Sequence, residues 1–400
     1  MISCTYACSV RVLISGAGIA GPTLAYWLDR YGFDTTIVEN APRLRTGGYV
    51  IDFWGTGFEV ASRMQLLDEI KRHGYAVEKV TVVGRTGKTA AGFPAAAFAR
   101  ATLGRYVSLP RGDLAALIFA SIESRVETIF GDSISTIAEA GHGVRVTFST
   151  GVEREFDLVV GADGLHSRVR ELVFGPENRF ERFLGYKAAA FAIDGYRPRD
   201  ELIYVMYTEV GRQVARFAMR DDRTMFLFIF ADADPESGDL AAQKELLRQR
   251  FGGGGWECPS ILDALDRSGE FYFDRVSQIQ MDVWSQGRVV LVGDAAHCVS
   301  LLAGQGSALA MAGAYILAGE LHRAGGDYAA AFQRYQAIFE PLVRAKQEAA
   351  LGFAGAFAPK SRFRLWLRNR IFNMLRIGWI ADLAVGRDLA DRISLPDYEK

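Results

Sequence analysis

Apolar positions along the chain follow two rhythms. Val10, Val12 and Ile14 form a short β-branched run that stops at glycines, and Thr35 to Val38 form another. Between them, residues 19–31 (IAGPTLAYWLDRY) carry apolar side chains at three- and four-residue spacing. Pro22 falls in the first turn of that helix, where a missing N–H costs nothing. Helical spacing returns at 57–73 and 112–124. Alternation predicts strands at 143–149 and 156–160, joined as a hairpin through Thr150-Gly151. The apolar run FDLVV also reads as a buried strand that delivers the chain to a loop at the C-terminal end of a sheet.

The pattern changes at residue 181. Segments 186–193, 202–209, 213–219, 224–230 and 271–279 are rich in aromatic and β-branched residues and predict an antiparallel sheet. Residues 239–251 and 259–267 read as helices, with Gly252 to Gly255 as a stop and loop. Val289 to Val292 returns as a buried strand, and 328–400 is largely helical. The fold class is therefore α/β. A Rossmann-like domain is expected from residues 10–180 and 281–345, an inserted antiparallel β-sheet domain from 181–280, and a C-terminal helical segment from 346–400.

Composition narrows the function. The chain has 46 Lys+Arg against 47 Asp+Glu, so its net charge of −1 offers no footprint for bulk nucleic acid. Half of its residues are hydrophobic, enough for a sizeable core. Cys4, Cys8, Cys258 and Cys298 are too few and scattered for a disulfide framework. No basic region precedes an apolar run at the start, so no signal peptide is expected, and a cytoplasmic monomer is the expectation. Ala295 to Gly319 lacks Asp, Glu, Lys and Arg over 25 residues, long enough to span a bilayer. Its four glycines favour a buried helix instead. His73, His142, His166 and His322 show no metal-ligand spacing, and no metal is expected.

Gly16, Gly18 and Gly21 have the G-x-G-x-x-G spacing between a strand and a helix. The first permits a tight turn, the second lets a pyrophosphate approach the backbone, and the third lets the helix pack on the strand. Glu39 ends the next strand at the position of an acid that holds a ribose hydroxyl. These features call for a dinucleotide without separating NAD from FAD.

Three further motifs follow in order: RGDL at 111–114, GADGLHSRVR at 161–170, and GDAAH to GQG at 293–306. With GAGIAG at 16–21, the set resembles the single-component FAD-dependent aromatic monooxygenases, the para-hydroxybenzoate hydroxylase family. The resemblance implies non-covalent FAD, with NAD(P)H as transient electron donor and O2 as co-substrate. One oxygen atom would pass through a C4a-hydroperoxyflavin to an aromatic or polycyclic small molecule. It also implies site residues. Gly16, Ala17, Gly18, Ile19, Ala20 and Gly21 would meet the pyrophosphate, and Glu39, Asn40, Arg45, Gly47 and Gly48 the adenosine side and the adjoining turn. Arg111 would meet the phosphate and ribitol, and Asp163 would support both FAD and nicotinamide. Asp294 would take a ribitol or ribose hydroxyl, with Gly304 to Gly306 at the flavin pyrimidine ring. No protein nucleophile is required, and the catalytic side chain is left open.

The sequence departs from the family around the last motif. Ser300, Leu301 and Leu302 stand where prolines are common, and Ala308, Gly313 and Ala314 replace polar residues. Leu301 and Leu302 are candidate substrate contacts. Similarity at 20–33, 271–298, 312–321 and 393–399 is to the tetracycline destructase branch, which implies an extra C-terminal helix closing the cavity. A polyketide-tailoring hydroxylase would carry the same features, and a non-oxygenating FAD-dependent reductase is the alternative. Lys360 to Arg376 holds six basic residues and no acid. Phe363, Leu367, Ile371, Met374 and Leu375 recur at helical spacing with Trp366 nearby. This face is expected to cover the cavity as a lid, with membrane contact by 360–380 and ordinary packing on the body of the protein as the other readings.

Overall fold

The computed structural model describes residues 9–398 except 46, 103, 235–237 and 376–393. Cys4, Cys8 and the end of the basic segment at 376–380 thus lie outside the described residues. Arg11–Ser15 pairs in parallel with Asp34–Glu39 on one side and Leu158–Gly161 on the other. Glu127–Phe130 and Val289–Leu291 extend this sheet in parallel, and Ser285–Gln286 closes one edge antiparallel. Val12, Leu13, Ile14, Val159, Val160, Val290 and Leu291 are buried, as a sheet covered on both faces requires. Helix Ala20–Arg30 turns Leu24, Trp27 and Leu28 inward.

Helix Gly306–Ala324 packs beside it and buries every residue from Ala308 to Leu321. The uncharged run is therefore split between the short helix Asp294–His297, a 3-10 turn at Leu301–Ala303 and this core helix. Among the described residues no helix is long and apolar enough to cross a membrane.

Seven strands form the second sheet, in the order Phe271–Ile279, Glu181–Asp194, Arg223–Ala231, Arg212–Ala218, Ile203–Glu209, Lys79–Val83 and Thr89–Pro94. The five strands expected from 181–280 are present and pair antiparallel. The last two strands differ from the expected partition. Lys79–Val83 joins Ile203–Glu209 in parallel, so a piece of the 10–180 region completes the inserted sheet. Alternation marks a strand but does not name its neighbour.

Two local expectations are corrected. The helix expected over 57–73 is two helices, Thr56–Arg63 and Leu67–His73, separated at Gln65, which takes a left-handed backbone with φ 61. No Gly or Pro announces that break. The hairpin from Gly143–Phe148 closes on Glu153–Phe156, and Leu158–Gly161 leaves to join the parallel sheet. The charged residues of Glu153–Phe156 hide its alternation.

One face of the seven-stranded sheet packs Phe226, Phe228 and Phe230 on Leu247 and Phe251 of helix Leu240–Phe251, Ile261 of helix Cys258–Ala264 and Leu265 of the 3-10 turn that follows. The other face turns toward the parallel layer. After helix Tyr328–Phe357, helix Arg362–Met374 lies along the edge strand Thr89–Pro94, where Gly92 N–H donates to Asn373 and Phe93 meets Phe372 edge-on. The tail then returns to the parallel layer. Tyr398 lies against Gly319 and donates to the fully buried Glu320 at 2.7 Å.

Candidate cofactor and substrate site

The first glycine turn is closed by contacts that exclude side chains. Gly16 has φ +109, and a Cβ there would stand 2.6 Å from the carbonyl oxygen of Ala162. A Cβ on Gly21 would overlap the carbonyl oxygen of Gly16. Gly18 faces open space up to the Arg111 guanidinium, 3.9 Å from where its Cβ would be. Glu39 pins the turn: its two carboxylate oxygens accept from Ala17 N–H and Ala41 N–H, each at 2.9 Å. Arg45 stands 3.8 Å from Glu39, and Asn40 is exposed.

Two helices begin here without a side-chain cap and without an acid in the first turn: Ala20–Arg30 after Ile19, and Gly306–Ala324 after Gln305. Ser167, Asp239, Asp327 and Ser361 cap four other helices through side-chain oxygens, while the helices at Thr56, Leu67, Arg111, Cys258 and Asp294 also lack such a cap. A bare helix start presents unpaired N–H groups and a partial positive charge, which suits an anion or a carbonyl oxygen.

Between the bare starts converge Arg111, Asp294, Gly48 and Tyr49. Arg111 opens helix Arg111–Ala120, its N–H donates to the Tyr49 carbonyl at 3.0 Å, and its side chain runs beside Gly48. Gly47 meets Glu270 across the opening. Asp294 follows Gly293, whose φ of 65 turns the chain, and its carboxylate reaches the Gly306 helix start. Burial pushes the Asp294 carboxyl above its ordinary value, against the pull of Arg111. Burial likewise takes the Tyr49 hydroxyl up to about 12, although Arg111 opposes it. Gly304 takes a left-handed conformation opposite the Trp54 ring.

Asp163 is engaged within the protein. Its carboxylate accepts from Ser15, from Ser167 and from Val169 N–H, tying the first strand to helix Arg168–Phe174. Its side chain therefore positions the loop. Beside it, His166 bridges Glu177 and Asp274, and these two carboxylates raise its pKa to about 10. His297 is the opposite case. It is buried against Trp284, Tyr335 and Phe339, and desolvation lowers it to about 4.

The inner face of the seven-stranded sheet supplies a second wall. At one end Tyr186, Ala188, Ile229 and Val276 cluster with Leu301, Leu302 and Phe357. At the other, Ala192, Met225, Phe217 and Tyr204 cluster with Tyr49, Val50 and Tyr75. Between them the ladder sets Tyr272, Ala190, Leu227, Ala215 and Met206 side by side on the same face. Leu227 and Met206 remain partly exposed although they lie on central strands. Tyr272 meets Tyr49 with ring centroids 5.6 Å apart, so this row adjoins the Arg111–Asp294 cluster.

Two expectations about substrate contact change. Leu302 is buried in the cluster just described, and Leu301 alone keeps partial exposure. The face expected to form a lid points away: Phe363, Trp366, Leu367, Ile371 and Met374 are all exposed, and Arg368, Phe372 and Leu375 pack inward. The end of helix Tyr328–Phe357 covers Leu301 and Leu302 instead. Sequence reasoning missed Tyr49, Trp54, Tyr272, Ala190 and Ala215. Tyr49 follows Gly47 and Gly48 directly, which was the one usable signal; strand pairing alone assembles the rest.

The donor set fits FAD. It combines two uncapped helix starts for phosphates and a carbonyl edge, an arginine between them, and buried Asp294, which bonds to Cys298 and keeps acceptor capacity for a hydroxyl. Among the described residues no group of His, Cys, Asp or Glu could hold a metal.

A family model described as FAD binding domain matches residues 9–333. An uncharacterized protein of Mycobacterium tuberculosis is 41% identical over 347 residues, covering 84% of this chain and 91% of that protein. A flavin-dependent monooxygenase of Legionella longbeachae is 32% identical over 98% of this chain and 99% of its own length. The crystal structure of tetracycline destructase Tet(55) matches with a TM-score of 0.84 at 32% identity, over 98% of this chain and 99% of that one.

Proposed function

The chain belongs to the FAD binding domain family of flavin-dependent monooxygenases, and from that premise we propose that it oxygenates a fused-ring aromatic compound with NAD(P)H and O2. The balance is one substrate C–H, O2, NAD(P)H and a proton giving the hydroxylated product, water and NAD(P)+. FAD, when bound, carries the electron pair from NAD(P)H and activates the oxygen. The chain's own residues bind, orient and exclude water. The turn Gly16 to Gly21 and the Ala20 helix start would hold the pyrophosphate of FAD, and Glu39 the adenosine ribose. Arg111 would neutralise phosphate, Asp294 would accept from a ribitol hydroxyl, and the Gly306 helix start would offer N–H groups to the flavin. Leu301, Tyr49, Tyr272 and the row from Ala190 to Met206 line the substrate side.

The observation that carries this reading is the pair of bare helix starts flanking Arg111 and Asp294, directly against a sheet face of small and apolar side chains. Ala190 and Ala215 are small side chains on this face, both buried in the structure. Similarity to Tet(55) makes tetracyclines the first compounds to test, with anthracycline-like polyketides next and single-ring phenols as controls. Purified protein should be yellow and release intact FAD on denaturation. A substrate should stimulate NAD(P)H oxidation and gain one oxygen atom, with the isotope label coming from oxygen gas. Stimulated oxidation with no substrate-dependent oxygen uptake would identify a reductase instead. Asp294→Ala should weaken FAD retention by about 1–3 kcal/mol, read by flavin titration, because a buried acceptor is lost.

A further inference from the structure

Helix Arg362–Met374 presents an apolar stripe to solvent that nothing among the described residues covers. Phe363 is 67% exposed, Trp366 52%, Leu367 42%, Ile371 46% and Met374 49%. At about 100° per residue these five fall within an arc of roughly 140°, so they form one strip. Phe363 and Trp366 stack with centroids 6.0 Å apart, which makes the strip continuous. Scattered exposed apolar residues need no explanation, but a contiguous strip on one helix marks an interaction surface.

The charges around the strip narrow the partner. Residues 358–375 contain no acid. Arg362 and Arg364 flank the strip on opposite sides, and Arg370 lies within it over the Trp366 ring at 5.3 Å. Lys360 stands over Tyr186. All four cations are exposed and have no carboxylate partner among the described residues. Nearby Arg212 and Arg250 are paired with Glu209 and Asp232, so the uncompensated positive charge belongs to the helix itself. A protein groove would match the apolar strip alone. An apolar interior beneath a negatively charged surface matches both the strip and its flanks.

We propose that the outer face of helix Arg362–Met374 docks on an anionic lipid bilayer. The helix lies in the interface, with Phe363, Trp366, Leu367, Ile371 and Met374 among the acyl chains, Arg362 and Arg364 at the headgroup phosphates, and Arg370 reaching back to them along the Trp366 ring. Docking of this kind sets the Ala190–Met206 row, on the sheet face that Arg368 of the same helix reaches through Thr208 and Gln213, close to the membrane.

The test is flotation of the full-length holoprotein with vesicles of phosphatidylcholine alone or mixed equally with phosphatidylglycerol. Binding is expected only to the mixed vesicles, and it should weaken with salt. Arg362→Glu/Arg364→Glu/Arg370→Glu should reduce it on the order of a hundredfold, at about fivefold per cation. Leu367→Ser/Ile371→Ser should also reduce it, with flavin content and Tm unchanged. A blue shift of Trp emission on vesicle addition should disappear in Trp366→Phe. Failure of the full-length protein to float with mixed vesicles overturns the proposal. Equal binding to neutral vesicles, or flotation unaffected by both sets of substitutions, overturns it as well. Two further results would reassign the strip. A dimer that Leu367→Ser/Ile371→Ser dissociates, without any vesicle binding, would give it to a second copy. A large fall in Tm in that variant would give it to residues 376–393 of the same chain.

Discussion

Helices Ala20–Arg30 and Arg362–Met374 have similar length and similar apolar periodicity, yet one turns its apolar face in and the other turns it out. The first buries Leu24, Trp27 and Leu28 between the parallel sheet and helix Gly306–Ala324. The second exposes Phe363, Leu367 and Ile371 while Arg368 is buried and bonded to Thr208, Gln213 and Asn369. The difference lies in the partner. Behind the first helix is an apolar sheet. The second meets polar Thr208 and Gln213 at one end and Phe93 and Val80 at the other, so polar and apolar contacts share its inner face. Periodicity says which residues share a face; the neighbour decides which face is inside.

The strongest way to break the first half of this comparison is Gly21→Ala. The added Cβ overlaps the Gly16 carbonyl, and overpacking of this kind costs about 1–3 kcal/mol or more while displacing the pyrophosphate turn. The purified variant should lose its flavin absorbance. Retained stoichiometric FAD would mean that the turn is not the phosphate site.

Leu375→Ala probes the inner face of the second helix. Leu375 is 8% exposed and packs on Phe93, so truncation should cost about 2–4 kcal/mol in chemical denaturation. A loss near zero would show that the helix is not held by this face.

The two histidines sharpen the contrast between interior and interface through pH. In the folded protein burial holds His297 down to about 4, whereas the unfolded chain titrates near 6.5. Between those values the unfolded chain binds more protons, so stability falls as pH drops from about 6.5 toward 4 and levels off below. The loss is at most about 3 kcal/mol, and His297→Gln should flatten it. His166 runs the other way. Asp274 and Glu177 raise it to about 10, so its contribution is complete below pH 6.5 and fades as pH rises toward 10. His166 is half exposed, and its effect should be the smaller of the two. Denaturation midpoints measured across pH for both variants check the two signs.

The smallest effect belongs to the outer face. Leu367→Ser should change folding stability by less than about 0.5 kcal/mol, because the side chain has little to lose. The same thermal or chemical melt that detects Leu375→Ala would detect a larger value, which would mean that the strip is already covered.

Local chemistry was enough to read the first strand, the glycine turn, Glu39, the helix after Gly21, and the five antiparallel strands. A G-x-G-x-x-G turn has to be glycine wherever it occurs, because two backbones approach there, so its residues declare themselves in one dimension. The order of the motifs likewise singled out Arg111, Asp294 and Gly304 to Gly306, which the fold brings near one another. Other features depended on pairings between distant segments. Lys79–Val83 joined the inserted sheet through a parallel partner more than 120 residues away, at Ile203–Glu209. Tyr272, Ala190, Leu227, Ala215 and Met206 became one wall only through four strand registers. Asp163 proved to hold the chain together around it, and Leu302 to be core. The direction of the C-terminal helix was decided by what lay opposite it. A sequence records which side chains can share a surface, but the free energy of burying that surface depends on the element it meets, and that element is chosen by the whole fold.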